Sequence, residues 1–202
     1  MKRQLKKDEL GNSIFAYQPS KPILCSTKNR DGTDHVSTFS WINPVSGDPP
    51  RLALALLNSP EKRQHSLDNI ERSGEFVVNF PSSALYKQLV LASYWPNFGE
   101  NKFDRSGFVR QKAEKVAPMA VGECYAHIEC RVIHSFSPGD HTILIADVVA
   151  ASYDDKVLLP NGKPIDLPSF KPCVHIQSYD FPDTQLHMFA ELEHSHIVQL
   201  DK

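Results

Sequence analysis

The sequence is short of glycine, with 9 in 202 residues, and none of them falls in a phosphate-cradling pattern. No GxGxxG follows a strand and no GxxxxGK[ST] occurs, which argues against a Rossmann dinucleotide site and a P-loop. GxSxG and HExxH are missing as well, so neither a nucleophile elbow nor a zincin helix is expected. The four cysteines (Cys25, Cys124, Cys130, Cys173) form no CxxC pair and no zinc knuckle, and reduced thiols in a cytoplasmic protein are the expectation. Neither sign of charge dominates: 22 basic and 24 acidic residues give a net charge of -2, with no field that would gather nucleic acid. No apolar run reaches membrane-spanning length. Lys2, Arg3, Lys6 and Lys7 are followed by Asp8 and Glu9 where a secretory signal would turn apolar, so no signal and no membrane partner are expected.

What is abundant is proline, 15 residues spread between short apolar runs. Proline ends helices and is barred from central strands, so this spacing punctuates many short elements. Strands are expected over Pro22–Thr27, His35–Trp41, Leu52–Leu57 and Phe76–Phe80, with Asn29 to Gly32 (NRDG) as a hairpin turn. Leu52–Leu57 is continuously apolar, as in a strand buried on both faces. Glu123–Ser135 alternates polar and apolar residues, and the turn Pro138–His141 joins it to a further strand, Thr142–Tyr153. Helices are expected over Gln64–Ser73, stopped by Gly74, and over Ser82–Ser93. Tyr94–Phe108 reads as a long loop whose Lys102 and Phe103 could approach a ligand, or whose Phe103 could instead anchor the loop to the barrel. A last strand is expected within Ser169–Gln177. The sum is a mainly β single domain, 1–202 with its core over about 20–180, closed into a small barrel with helices in the connections.

Three segments carry chemistry. In TFSWINPVSGDPP, Thr38, Ser40 and Ile42 share one face of an extended chain while Phe39 and Trp41 share the other, and Asn43 and Ser46 are expected in a turn. Edge-on donors beside an apolar platform suit a flat heteroaromatic ring, whereas a structural reading makes Trp41 core and Asn43-Pro44 a simple reversal. Lys62, Arg63, Gln64 and Ser66 sit at the first turn of the expected helix, where free N–H groups and the helix dipole favour an anion. An ordinary capped helix after a solvated basic turn remains the alternative. In the tail, His187, Glu191 and His194 would share a face if helical, but a terminal cluster without supporting groups reads as solvated surface, and no metal site is expected.

The order of three blocks, Ser40–Pro50 (SWINPVSGDPP), His65–Ile70 (HSLDNI) and Ser73–Asn79 (SGEFVVN), resembles the flavin reductase-like family, which includes the flavoredoxin-type FMN-binding split barrels. Glu129–Arg131 and Gly139–His141, followed by Ile143–Val149, match in the same order, so the resemblance spans Pro22 to Val149. It implies a six-stranded antiparallel Greek-key split β-barrel, a homodimer, and FMN (or FAD) near the subunit interface. It further implies Thr38, Ser40, Trp41, Asn43, Val45 and Ser46 along the flavin ring. Arg63 and Ser66, with Lys62 and Gln64, would hold the phosphate, and Asn79 would lie nearby. His141, in the Gly-Asp-His turn, would face the pocket as a group positioning nicotinamide or substrate, although Asp140 and His141 serve equally well to close a hairpin. Where the family often has Lys-Asp-Thr this chain has Gln64, His65 and Ser66, so one cation is lost. The implied activity is hydride transfer from NADH or NADPH to flavin and onward to free flavin or another acceptor. A flavin carrier or sensor that turns over no nicotinamide, and a haem-binding split barrel, are the alternatives.

Overall fold

β-branched and aromatic residues separated by turn chemistry form three antiparallel hairpins that build most of one sheet. The computed structural model describes residues 2–94, 101–158, 171–181 and 184–191. Strands β1 (Ile23–Lys28) and β2 (Asp34–Phe39) pair around Gly32, whose φ of 82° is a conformation that favours glycine. β3 (Ile42–Gly47) pairs with β4 (Pro50–Leu57), and β5 (Glu75–Phe80) follows the helix α1 (His65–Ser73). Two short strands, β6 (Arg110–Gln111) and β7 (Ala120–Val121), pair with each other. The long strands β8 (Ala126–Phe136) and β9 (His141–Tyr153) complete a seven-stranded sheet of order β2-β1-β5-β8-β9-β4-β3, every pairing antiparallel. Strands β10 (Cys173–Phe181) and β11 (Thr184–Glu191) form a separate hairpin.

The barrel interior holds Ile23, Cys25, Leu52, Leu54, Leu56, Phe76, Val78, Cys130 and Leu144, with Leu67 and Ile70 of α1 packed among them. Leu67 and Ile70 are buried one turn apart, and each such side chain stabilises the fold by about 1.5–3 kcal/mol. Gly74 ends α1 in the left-handed conformation, its N–H donating to the Ile70 carbonyl at 2.7 Å. A second core lies on the other side of β1 and β2. There Leu24 and Val36 meet Leu85, Leu89 and Ala92 of the segment leading into and along α2 (Tyr86–Ser93), and Phe103 of α3 (Lys102–Ser106).

The mainly β class stands, with seven strands in the main sheet in place of the six implied. Four local expectations need correction. β4 is buried on one face: Leu52, Leu54 and Leu56 point into the barrel, while Ala53, Ala55 and Leu57 are half-covered on the outside. Asn43 and Pro44 do not reverse the chain but lie within β3, and the reversal falls at Gly47–Pro50. The stretch expected as one loop contains α3, with Asn101 capping it by accepting from the Phe103 N–H. The tail through Glu191 is strand, which removes the helical face shared by His187 and Glu191, while His194 lies outside the described residues. Among the described residues no helix is long and apolar enough to cross a membrane, and no group of His, Cys, Asp or Glu could hold a metal ion.

Candidate functional site

Trp41 leaves the core because of where β3 sits. As the last strand of the sheet, β3 turns its outer side to solvent, and Trp41 is 46% exposed there. Its carbonyl accepts from the Ala55 N–H at 2.9 Å, which places the indole over the outer face of β4. Ala55 pairs with Ile143 of β9, and Leu57 with His141. The result is a stack of the Trp41 and His141 rings, 4.5 Å between centroids and 21° between planes. Asp140 fixes the imidazole, its carboxylate 2.8 Å from His141 Nδ1, and this contact holds the Asp140 carboxyl below the usual carboxylate range.

Beside the stack runs a groove of about 510 Å³, within the roughly 300–1,000 Å³ typical of ligand clefts. Ser40, Trp41 and Asn43 line it, with Ala53, Ala55 and Ile143 as its floor and Tyr17 and Lys21 on its far side. Alanines at two successive outward positions of β4 leave the platform flat. Val45, at the bulge of β3 and 52% exposed, and Ser46 lie further along the strand than this groove. Thr38 turns the other way, its hydroxyl donating to the Leu89 carbonyl at 2.6 Å and tying β2 to α2.

The anion end adjoins the ring end directly. Asn58 donates its backbone N–H to the Asp140 carbonyl at 2.7 Å and its side-chain amide to Thr142 Oγ1 at 2.9 Å. Its Oδ1 accepts from Arg63 at 2.6 Å, and Gln64 returns to Leu57 through its backbone N–H. The turn 58–64 is therefore bonded to the strand ends that carry His141. Gln64 is the N-cap of α1 but makes no side-chain cap, and the Ser66 hydroxyl is buried with no hydrogen-bond partner. A helix start without a side-chain cap, next to an orphaned hydroxyl, has the donors an anion requires.

Two expected ligands are engaged elsewhere. The Arg63 guanidinium is committed to Asn58, Asp68 and Glu71, so in this arrangement it braces the turn against α1. Asn79 is wholly buried in β5, its amide nitrogen donating to the Leu24 carbonyl and Ser26 Oγ while its oxygen accepts from the Val121 N–H and His127 Nδ1. That amide serves the core, not the platform. Lys62 is exposed on the turn.

A cluster around a buried lysine, with no local signal in the sequence, lies at the edge of β2. Lys102 is buried, with Nζ 2.8 Å from Ser37 Oγ and 3.0 Å from the Ala92 carbonyl, and Ser37 in turn lies 3.2 Å from His35. The His35 ring approaches His65, the first residue of α1, at 5.9 Å. Burial, followed by repulsion from Lys102 and His65, pushes the His35 pKa down to about 3. Phe103 is fully buried and anchors α3, the second of the two roles open to this stretch. Nothing periodic in the sequence signals that Lys102 folds back to β2; α3 with its Asn101 cap does that in three dimensions.

Comparison with known proteins agrees with this architecture. Residues 16–167 match the flavin reductase like domain. The chain is 31% identical over 150 residues to a flavin reductase (NADH) of Kitasatospora aureofaciens, covering 73% of each protein. Its fold resembles component B of nitrilotriacetate monooxygenase from Bacillus cereus (TM-score 0.80, 17% identity, 97% of this chain and 95% of that one). It also resembles the flavoredoxin of Desulfovibrio vulgaris (TM-score 0.77, 22% identity, 98% and 97%). With three quarters of its length in one matched domain, this chain belongs to the flavin reductase-like family.

Proposed function

We propose that the protein is a flavin reductase that binds FMN, takes reducing equivalents from NADH or NADPH and passes them to free flavin or another acceptor. The observation that carries this reading is the adjacency of the Trp41–His141 stack and the α1 start without a side-chain cap in a member of this family. The residues present fit the cofactor. Ser66, buried and without a partner, and the first-turn N–H groups of α1 would receive the phosphate, with Lys102 supplying positive potential where Gln64 gives none. Trp41, Asn43 and the alanine floor would hold the ring, Asn43 and Ser40 contributing edge donors. A bound flavin would supply the two-electron chemistry, for which the protein would provide orientation and an apolar platform. His141, held by Asp140, would position the nicotinamide or acceptor against the platform. The open face of the groove gives the nicotinamide direct access to the ring.

The same reading includes a symmetric dimer. Trp41, just before β3, and Val45, Ile133 and Phe136 on β3 and β8 are apolar and close to half exposed, and a second copy covering them would remove them from water.

The absorption spectrum of purified protein mixed with FMN, then with NADH or NADPH without oxygen, tests the proposal. Bound flavin that bleaches within seconds is the expected result. Protein that retains no FMN overturns the cofactor assignment, and bound flavin that neither nucleotide bleaches reduces the protein to a carrier. Sedimentation showing a stable monomer with full FMN affinity overturns the dimer.

A further inference from the structure

A second, smaller cavity lies on the side of the 38–41 segment away from the platform groove, between α2 and the β10–β11 hairpin. Its volume is about 130 Å³, close to the ~150 Å³ at which a dry engineered cavity takes up benzene. The walls are apolar and partly aromatic: Phe39, Leu89, Val90 and Phe189. Among the described residues no Lys, Arg, Asp or Glu lines it, so none of them compensates a full charge on an occupant.

The polar groups that remain are few and specific. The hydroxyls of Thr38 and Ser93 are spent on the carbonyls of Leu89 and Val90. Along the hairpin runs a side-chain chain: His175 Nε2 lies 3.0 Å from Ser178 Oγ, which lies 2.8 Å from His187 Nδ1. Burial, and then repulsion from His187, holds His175 below the ordinary histidine range, so His175 is neutral at pH 7. A serine between two imidazoles both donates and accepts, and it can reverse direction to suit a neighbouring hydroxyl or carbonyl. On the opposite wall Ser40, half-buried, presents a hydroxyl that also borders the platform groove.

We propose that this cavity is a second binding site, for one neutral single-ring aromatic molecule carrying a hydroxyl or carbonyl. Its ring fills the space between Phe39, Leu89, Val90 and Phe189, and its oxygen bonds to the His175–Ser178–His187 chain. The proposal does not require the flavin reading, because the cavity and its polar groups are formed by this chain without a cofactor. If flavin occupies the platform, the ring in this cavity lies just across Ser40 from it, as expected of a substrate or effector rather than of a second cofactor.

The test uses phenol and its isostere toluene as probes, titrated into the full chain by NMR and calorimetry, once alone and once with FMN added. Phenol is expected to bind at one molecule per chain, at least tenfold more tightly than toluene, shifting the ring signals of His175 and His187. Val90→Phe, which fills the cavity from α2, is expected to weaken phenol at least tenfold while leaving FMN affinity unchanged. Ser178→Ala is expected to reduce the preference for phenol over toluene to below threefold. Equal binding of the two probes, phenol affinity unchanged by Val90→Phe, shifts confined to Trp41 and His141, or no binding at millimolar phenol would each overturn the proposal. Failure to bind FMN would leave the phenol result standing, so the two readings fail separately.

Discussion

Asn79 and Ser66 are both buried polar residues in elements packed around the same barrel core, and their circumstances are opposite. Asn79 satisfies three backbone groups, a serine and a histidine with one amide. Ser66 sits at a helix start without a side-chain cap, its hydroxyl bonded to nothing. A fold leaves a buried group orphaned only at a cost, so the first residue is accounted for by the protein and the second points to something outside it. The same contrast separates whole regions. Around β5 and β8 even a buried carboxylate is satisfied, Glu129 accepting from the N–H groups of Glu114, Lys115 and Val116. Around β3 and the start of α1, an indole lies open and a helix start goes without a side-chain cap.

Breaking the satisfied side has the largest expected effect. Asn79→Ala leaves several buried partners unpaired and should lower the unfolding free energy by about 3 kcal/mol or more, measured by urea denaturation. FMN affinity of the folded fraction should stay within twofold of the parent; a large loss would return Asn79 to the site. Trp41→Ala attacks the open side and should reverse the pattern. Stability should change by under about 1 kcal/mol, whereas FMN affinity, read by fluorescence titration, should fall on the order of tenfold.

His35, beside the start of α1, gives the comparison a pH dependence. Its folded pKa of about 3 lies far below the ~6.5 of an unfolded histidine. Below pH 6.5 the unfolded chain therefore takes up a proton that the folded chain refuses. The stability is complete above that pH and declines as pH falls, approaching about 1.4 kcal/mol per pH unit. Urea midpoints between pH 7 and pH 5 should show this decline, and His35→Gln should flatten it, leaving the smaller slope of His127 and His175, whose pKa values burial also lowers. An unaltered slope in the variant would mean that His35 protonates freely in the fold. The smallest effect belongs to Ser66→Ala. Removing a hydroxyl that bonds to nothing should leave stability unchanged or raise it by a few tenths of a kcal/mol, yet weaken FMN about fivefold. A clear loss of stability would show that the hydroxyl already has a partner in the protein.

The strands, both hairpin turns and α1 with its Gly74 stop were legible because periodicity, turn residues and caps are local signals. Trp41 was legible only as a choice between core and platform, since the sequence does not say that β3 ends the sheet. Asn79 followed a motif that was read correctly in order, but a motif does not say which way a strand residue points. One residue of register decides that, and here it turns the amide toward β1 and β7. Lys102 was beyond reach for a related reason: its role arises from contacts with residues 10 and 65 positions away, with no period to announce them. The paired alanines of β4 had a signal that went unread, because small residues alternating with leucines mark one face kept deliberately shallow.

Asn58 has a consequence for selectivity. One side chain bonds the turn carrying Arg63 and the strand end carrying His141, and its backbone clasps Asp140 as well. The span from the helix start to the aromatic stack is thereby set by a rigid gauge of three short bonds. If flavin binds as proposed, this gauge sets the spacing between its ring and its phosphate, and a molecule whose charged end and flat end are spaced differently would not seat both at once.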